Sequence, residues 1–113
     1  MPVPDDCDAF ETAFRAAVAA VLPSATVAVV TRTIVAVKLR VDVDDARFID
    51  VFFNQLNRRT DLSVIEGGRR VFGYDNLGDW YRHEFAAPDR HEACAEPALE
   101  DFVHAALTGR PTR

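Results

Sequence analysis

The chain has 113 residues, 49% of them apolar, and a formal net charge of −5. That is the size of one domain, with apolar material for one core, roughly two-thirds of the unfolded surface buried on folding, and no need of a disulfide or metal. The longest unbroken apolar stretch, Ala16 to Pro23, is eight residues, against about 20 for a membrane span, and the acidic balance disfavours general nucleic-acid binding, which needs positive surface.

Met1 to Asp6 lack the positive and apolar regions of a secretory signal. Asp5, Asp6 or Asp8 can cap a helix, because a carboxylate accepts from the orphan N–H groups of the first turn, and Glu11 follows Asp8 at capping-box spacing. Phe10, Phe14, Ala17, Val18, Val21 and Leu22 then recur with the helical period, and Pro23 ends the run, so a helix is expected from about Asp8 to Leu22. Ala25–Val30 and Thr33–Val41 are rich in β-branched residues and read as strand. Thr31 and Arg32 between them are a tight turn, a bulge or the middle of one long strand. Asp42 to Asp45 is a turn by composition. Arg47–Phe53 is a strand apolar on both faces except for Asp50, a pattern suited to the middle of a covered sheet.

Asn54–Arg59 is a polar connection and Thr60–Glu66 another strand. Gly67-Gly68 is the strongest local signal, since two residues free to take positive φ make a type I′ hairpin turn. In that register Glu66 faces Arg69 as an exposed ion pair, Ile65 faces Arg70 and Val64 faces Val71. Arg69–Asp75 is the second arm, Asn76–Asp79 a turn and Trp80–Phe85 the last strand. Centring the turn on Leu77-Gly78 sets Tyr74 opposite Tyr81 and Phe72 opposite His83, placing all four on one face. Ala86–Pro97 reads as a long surface loop. Pro97 suits the first turn of a final helix, with Leu99, Phe102, Val103 and Leu107 on one side and Gly109 and Pro111 stopping it. The fold expected is α+β: an N-terminal helix packed on a mainly antiparallel, meander-like sheet of about five to six strands, with a short C-terminal helix, in a single domain over 1–113.

Charge is uneven. Residues 1–56 hold eight acids and five bases, residues 57–90 six of each, and residues 91–113 four acids and two bases. The balanced middle leaves room for a local basic patch. Lys38 is the lone lysine beside twelve arginines. Cys7 and Cys94 form no C-x-x-C pair and read as free thiols in a reducing, cytoplasmic setting; a single bridge between them is the alternative.

One constellation carries potential chemistry: Tyr74, Asp75, Asn76, Trp80, Tyr81, His83, Arg90 and His91. Imidazole titrates near neutral pH, which suits His83 and His91 to acid–base work. Asp75 can orient one of them, and Arg90 can hold an anion bidentately. Such a set around a phosphodiester suits RNA cleavage, with arginine stabilising charge on phosphate. Set against this, Tyr74, Trp80 and Tyr81 can simply pack as cross-strand aromatics while Asp75 and Asn76 make the turn. A second feature is the set Arg58, Arg59, Arg69 and Arg70, which with Phe72 and Tyr74 can meet single-stranded RNA by charge and stacking, or can simply be a solvated hairpin end beside Asp61 and Glu66. His83, His91, Cys94 and Glu92 or Asp89 are acceptable metal ligands at spacings that match no zinc pattern, so no metal and no cofactor is expected. Ser24 and Ser63 lack a nucleophile-elbow context. His104 falls on the last helix as a packed or exposed residue.

Asp50-Val51-Phe52-Phe53-Asn54, Arg59-Thr60-Asp61, Gly68 through Asn76, Trp80-Tyr81-Arg82-His83 and Pro88-Asp89-Arg90-His91, taken together, resemble the TumE-type toxins of prokaryotic toxin–antitoxin systems, many of them uncharacterised. The resemblance spans roughly residues 33–105. It rests on a strand ending in an aromatic-Asp-Asn turn (Tyr74, Asp75, Asn76), a histidine after a short hairpin (His83), and a loop with a proline and a further histidine (Pro88, His91). Some members carry histidines where this chain has Glu92 and Tyr81, which weakens an acid–base or metal role. The resemblance implies a helix followed by an antiparallel sheet, and a growth-inhibiting component neutralised by a helix-turn-helix antitoxin. The expectation is thus a toxin-like protein with His83, His91, Tyr74 and Asp75 as catalytic groups and Arg69, Arg70, Arg90, Trp80 and Asn76 as substrate contacts, with RNA as target. The alternatives are a non-catalytic interaction domain with an open sheet face or edge, and a small-molecule pocket between helix and curved sheet lined by Phe10, Phe14, Phe48, Phe52, Phe53 and Trp80. Homodimerisation through an edge strand is compatible with the first two.

Overall fold

The computed structural model describes residues 4–109. They form helix α1 (Cys7–Val21), strands β1 (Val27–Arg32), β2 (Ala36–Asp42), β3 (Arg47–Asn54), β4 (Thr60–Glu66), β5 (Arg69–Asp75), β6 (Tyr81–Glu84) and β7 (Ala87–Ala93), and helix α2 (Leu99–Thr108). Each strand pairs antiparallel with the next, giving one seven-stranded meander. The α+β class and both helices are as expected; the sheet has more strands than the sequence suggests.

Of the three capping aspartates, Asp6 does the work. Its carboxylate accepts from the Ala9 N–H at 2.8 Å, and Glu11 pairs instead with Arg15 one turn on. Phe10, Phe14, Ala17 and Val18 are the buried stripe of α1. Both helices cover the same sheet face. Val37, Leu39, Val41, Ile49, Val51, Phe53, Leu62, Val64 and Phe72 project into the shared core from β2 to β5. Phe10 stacks on Phe53 at 4.9 Å between centroids, and Phe72 stacks on Phe85 at 4.7 Å and on Phe102 at 6.4 Å. Phe10, Phe14 and Phe53 are fully buried, so these rings fill the space between helix and sheet as core. Phe48 and Phe52 leave that set altogether, because alternation along β3 turns them to the other face. No described element covers that second face, which corrects the expectation of a sheet covered on both sides.

Several local expectations shift for identifiable reasons. Thr33 makes the β1–β2 turn, its hydroxyl accepting from the Val35 and Ala36 N–H groups, while a bulge at Val30 breaks the β1 register. A second bulge, at Val71, pairs Val64 with Phe72; the bulge turns the larger Phe72 inward, where more apolar area is buried. Ile65↔Arg70 and Glu66↔Arg69 hold as expected, but Glu66 makes its ion pair with Arg47 at 3.3 Å. The expected loop over 86–97 contains β7, a strand at the sheet edge. Pro88 and the charges Asp89, Arg90 and Glu92 hide it in sequence, yet an edge strand tolerates proline and is protected by charge. Helix α2 starts at Leu99, with Pro97 preceding the cap residue Ala98. Ala106 is fully buried while Leu107 is 44% exposed. Gly109 closes α2 in the left-handed conformation; Pro111 lies outside the described residues.

The shift in the β5–β6 register matters most for function. Asp75 faces Tyr81, Tyr74 faces Arg82 and Gly73 faces His83, one residue off the register of a tight turn centred on Leu77-Gly78. A one-residue slip sends every side chain of the strand to the opposite face. His83 and Tyr81 therefore leave Phe72 and Tyr74 and move to the uncovered face.

Candidate functional site

Three strands bring the site together. Asp75 ends β5, His83 lies in β6, and Pro88 and His91 belong to β7. His83 is 1% exposed. Its Nε2 lies 2.7 Å from Asp75 Oδ2 and its Nδ1 2.9 Å from the Pro88 carbonyl oxygen. A carbonyl can only accept, so Nδ1 donates to Pro88. The Nε2 contact then requires one further proton, on the ring or on the carboxyl. Asp75 also accepts, at 3.4 Å, from the Leu77 N–H. Both nitrogens of His83 are thus spent on holding β5, β6 and the edge strand β7 together.

His91 is the free imidazole of the pair. It is exposed, and its ring sits edge-on to His83 at 4.5 Å and tilted against Tyr81 at 5.6 Å. Arg69, Arg70, His83, Pro88, Asp89 and His91 line a cleft of about 250 Å³. Arg70 Nη1 lies 3.8 Å from both Asp61 and Asp75, close enough for charge attraction but beyond hydrogen-bond length. Arg69 is exposed, and no described acid pairs with it.

Other residues marked in the sequence fall elsewhere. Tyr74 faces the helices, edge-on to Phe72 at 5.4 Å and Phe102 at 6.2 Å. Burial pushes its hydroxyl pKa up, with Arg82 pulling the other way. Trp80 packs against the core, and its carbonyl accepts from the Cys94 N–H at 3.1 Å. Asn76 is a clip: its side chain accepts from the Thr60 N–H at 2.6 Å and donates to the Arg58 carbonyl at 2.8 Å. Arg58 holds φ 59° to present that carbonyl. Arg90 is exposed next to His91 in the chain but does not line the cleft. Glu92 pairs with Arg82 at 3.1 Å on the helix side. Cys7 and Cys94 are free, and burial raises the Cys94 thiol pKa. No group of three or more His, Cys, Asp or Glu among the described residues is arranged to hold a metal ion.

Gly73 is the position that sequence reasoning passes over. A glycine inside a strand marks close backbone approach. A Cβ here would stand 2.3 Å from the Leu62 carbonyl oxygen and 3.1 Å from Arg70 Cδ. Gly73→Ala is expected to cost about 1–3 kcal/mol of stability and to push Arg70 off the cleft; thermal unfolding and a crystal structure of the variant check both.

Comparison with family models, with curated proteins and with solved structures finds no match. No helix among the described residues is long and apolar enough to cross a membrane.

Proposed function

We propose that this chain is the toxin-like component of a prokaryotic toxin–antitoxin module and that it cleaves RNA in the Arg69–Arg70–His91 cleft. The observation that supports this reading is an exposed imidazole, His91, against a second one, His83, that is fixed by Asp75 and Pro88, with two guanidinium groups lining the same cleft. His91 takes the proton from a ribose 2′-hydroxyl as that oxygen attacks the adjacent phosphorus. The O2′–P bond forms and the P–O5′ bond breaks. The departing O5′ takes a proton from water, leaving a 2′,3′-cyclic phosphate and a 5′-hydroxyl. Arg69 and Arg70 offset the charge gathering on phosphate. His83 is a positioning residue here, since neither of its nitrogens is free to exchange a proton with substrate. An antitoxin seated on the open face closes the cleft.

The second reading is a non-catalytic interaction domain, favoured by Phe52 and Ile65, half-buried on a sheet face that no described element covers. Expression from a tight inducible promoter separates the two. Wild type is expected to arrest growth and to leave RNA fragments with 2′,3′-cyclic ends, and His91→Ala to do neither. Normal growth and intact RNA with folded wild-type protein would move the assignment to the interaction domain.

A further inference from the structure

The uncovered face holds a second concavity, of about 350 Å³, whose lining includes Lys38, Phe52, Arg59, Asp61, Ser63 and Ile65. That is the size of a small-ligand site. Strand register ties it to the histidine cleft. One row across the face runs Lys38, Phe52, Asp61, Asp75, Tyr81, and the next runs Arg40, Asp50, Ser63, Gly73, His83. Arg70 stands between the two concavities, attracted both to Asp61 in the first and to Asp75 behind the second.

The chemistry of the lining is specific. Phe48 is not available for stacking, because the Arg40 guanidinium lies 4.4 Å over its ring. Arg40 also clamps Asp50 at 2.8 and 3.2 Å, with Lys38 near the same carboxylate at 3.8 Å. Phe52 is left as the open aromatic surface. Arg59 has no acid partner among the described residues, and its backbone is held by Asn54 and Asn57. Asp61 accepts one hydrogen bond, at 2.6 Å, from the Ser63 hydroxyl. A carboxylate has about four lone-pair sites, so Asp61 keeps acceptor capacity facing the concavity. An apolar ring face, an acceptor-only carboxylate and an unpaired cation together suit a nucleobase that offers N–H donors, attached to a phosphate.

We infer that this concavity is a base subsite that selects guanine at a fixed offset from the phosphate in the histidine cleft. Guanine alone among the RNA bases presents two adjacent N–H donor groups, N1–H and the 2-amine, to a single carboxylate. Its ring stacks on Phe52, Asp61 accepts from it, and Arg59 takes a neighbouring phosphate. Strands are about 4.8 Å apart, so β3–β4 and β6–β7 stand more than one nucleotide from each other. The guanine is thus a flanking base, and the single strand runs across the sheet rather than along it. This inference rests on the RNA reading of the cleft.

The test uses the full chain and adenosine oligoribonucleotides carrying one guanosine at varied positions, with an all-adenosine oligomer as control. Wild type is expected to cut at a constant distance from the guanosine. The His91→Ala chain, which leaves the RNA whole, is expected to bind the guanosine oligomer about tenfold or more tightly than the control. Phe52→Ala and Asp61→Asn should each erase that preference, inosine should fall between guanosine and adenosine, and Phe52→Trp should restore binding. Phe52→Leu keeps the apolar volume without a ring, so a loss there that leaves the melting temperature unchanged is a loss of stacking. Cleavage by wild type that ignores base identity and survives Phe52→Leu overturns the base subsite while the cleavage reading stands. Guanosine-selective, Phe52-dependent binding without cleavage keeps the subsite and overturns the cleavage reading. Absence of both binding and cleavage overturns both.

Discussion

His83→Ala is expected to destabilise the protein by about 3 kcal/mol or more, the largest stability loss of any single change near the cleft. Removing one member of a buried, hydrogen-bonded pair leaves its partners' polar atoms unsatisfied, at about 1–3 kcal/mol for each group and more where one is charged. Asp75 is 8% exposed, and without the imidazole its nearest described cation is Arg70 at 3.8 Å. The Pro88 carbonyl also loses its donor. Because Pro88 belongs to the edge strand, the loss falls on β7 first. Urea unfolding checks the size, and hydrogen exchange should place the earliest opening at 87–93. A loss below about 1 kcal/mol would mean that water replaces the imidazole at little cost, and would remove the argument that this pair clamps the three strands. The paired replacement Asp75→Leu/His83→Phe supplies the complementary measurement. Apolar substitutes of similar shape often restore most of the stability that breaking one partner takes away, so this double variant should be closer to wild type than either single alanine.

The clamp also explains which parts of the molecule are legible from sequence. Helix α1 is, because Phe10, Phe14, Ala17 and Val18 repeat at the helical period, and that period has one structural solution. The Gly67-Gly68 hairpin is, because both glycines take positive φ and few other residues do so cheaply. The side-chain face of β6 is not. Parity in a strand depends on the register of its turn, and the register of 76–80 is set by a distant clip, Asn76 on Thr60 and Arg58, that leaves no local mark. Strand β7 is equally hidden, since its stability comes from His83 holding Pro88 rather than from apolar alternation. The same two causes govern the candidate site. Asp75, His83 and His91 can be picked out by residue type, and the structure brings them together. Tyr74 departs from the sequence reading, since alternation sends it to the helices, whereas Arg70, expected as a substrate contact, does line the cleft: the bulge at Val71 turns it to that face, and the missing Cβ of Gly73 leaves room for its side chain.

His91→Ala separates chemistry from architecture. His91 is exposed on the edge strand and makes ring contacts with His83 and Tyr81 but no hydrogen bond or ion pair with a described residue. Exposed positions without such roles usually change stability by less than about 0.5 kcal/mol, so the variant should unfold like wild type. If the proposed reaction holds, its RNA cleavage should fall about 10²–10⁴-fold, the usual worth of a positioned general base, while affinity for uncleaved RNA changes little because Arg69 and Arg70 remain. His83→Ala must show the converse: lower stability together with lower activity, since an unclamped β7 carries His91 out of position. Asp75→Asn adds a finer control. With Nδ1 donating to Pro88, the amide can donate to a bare Nε2, so the contact and the fold are largely kept without a carboxylate at that position. Single-turnover cleavage by the three variants, each with its unfolding curve, gives the decisive pattern. Activity lost in His91→Ala at full stability places the chemistry on the exposed ring; activity that tracks stability across all three makes both histidines parts of the sheet and nothing more.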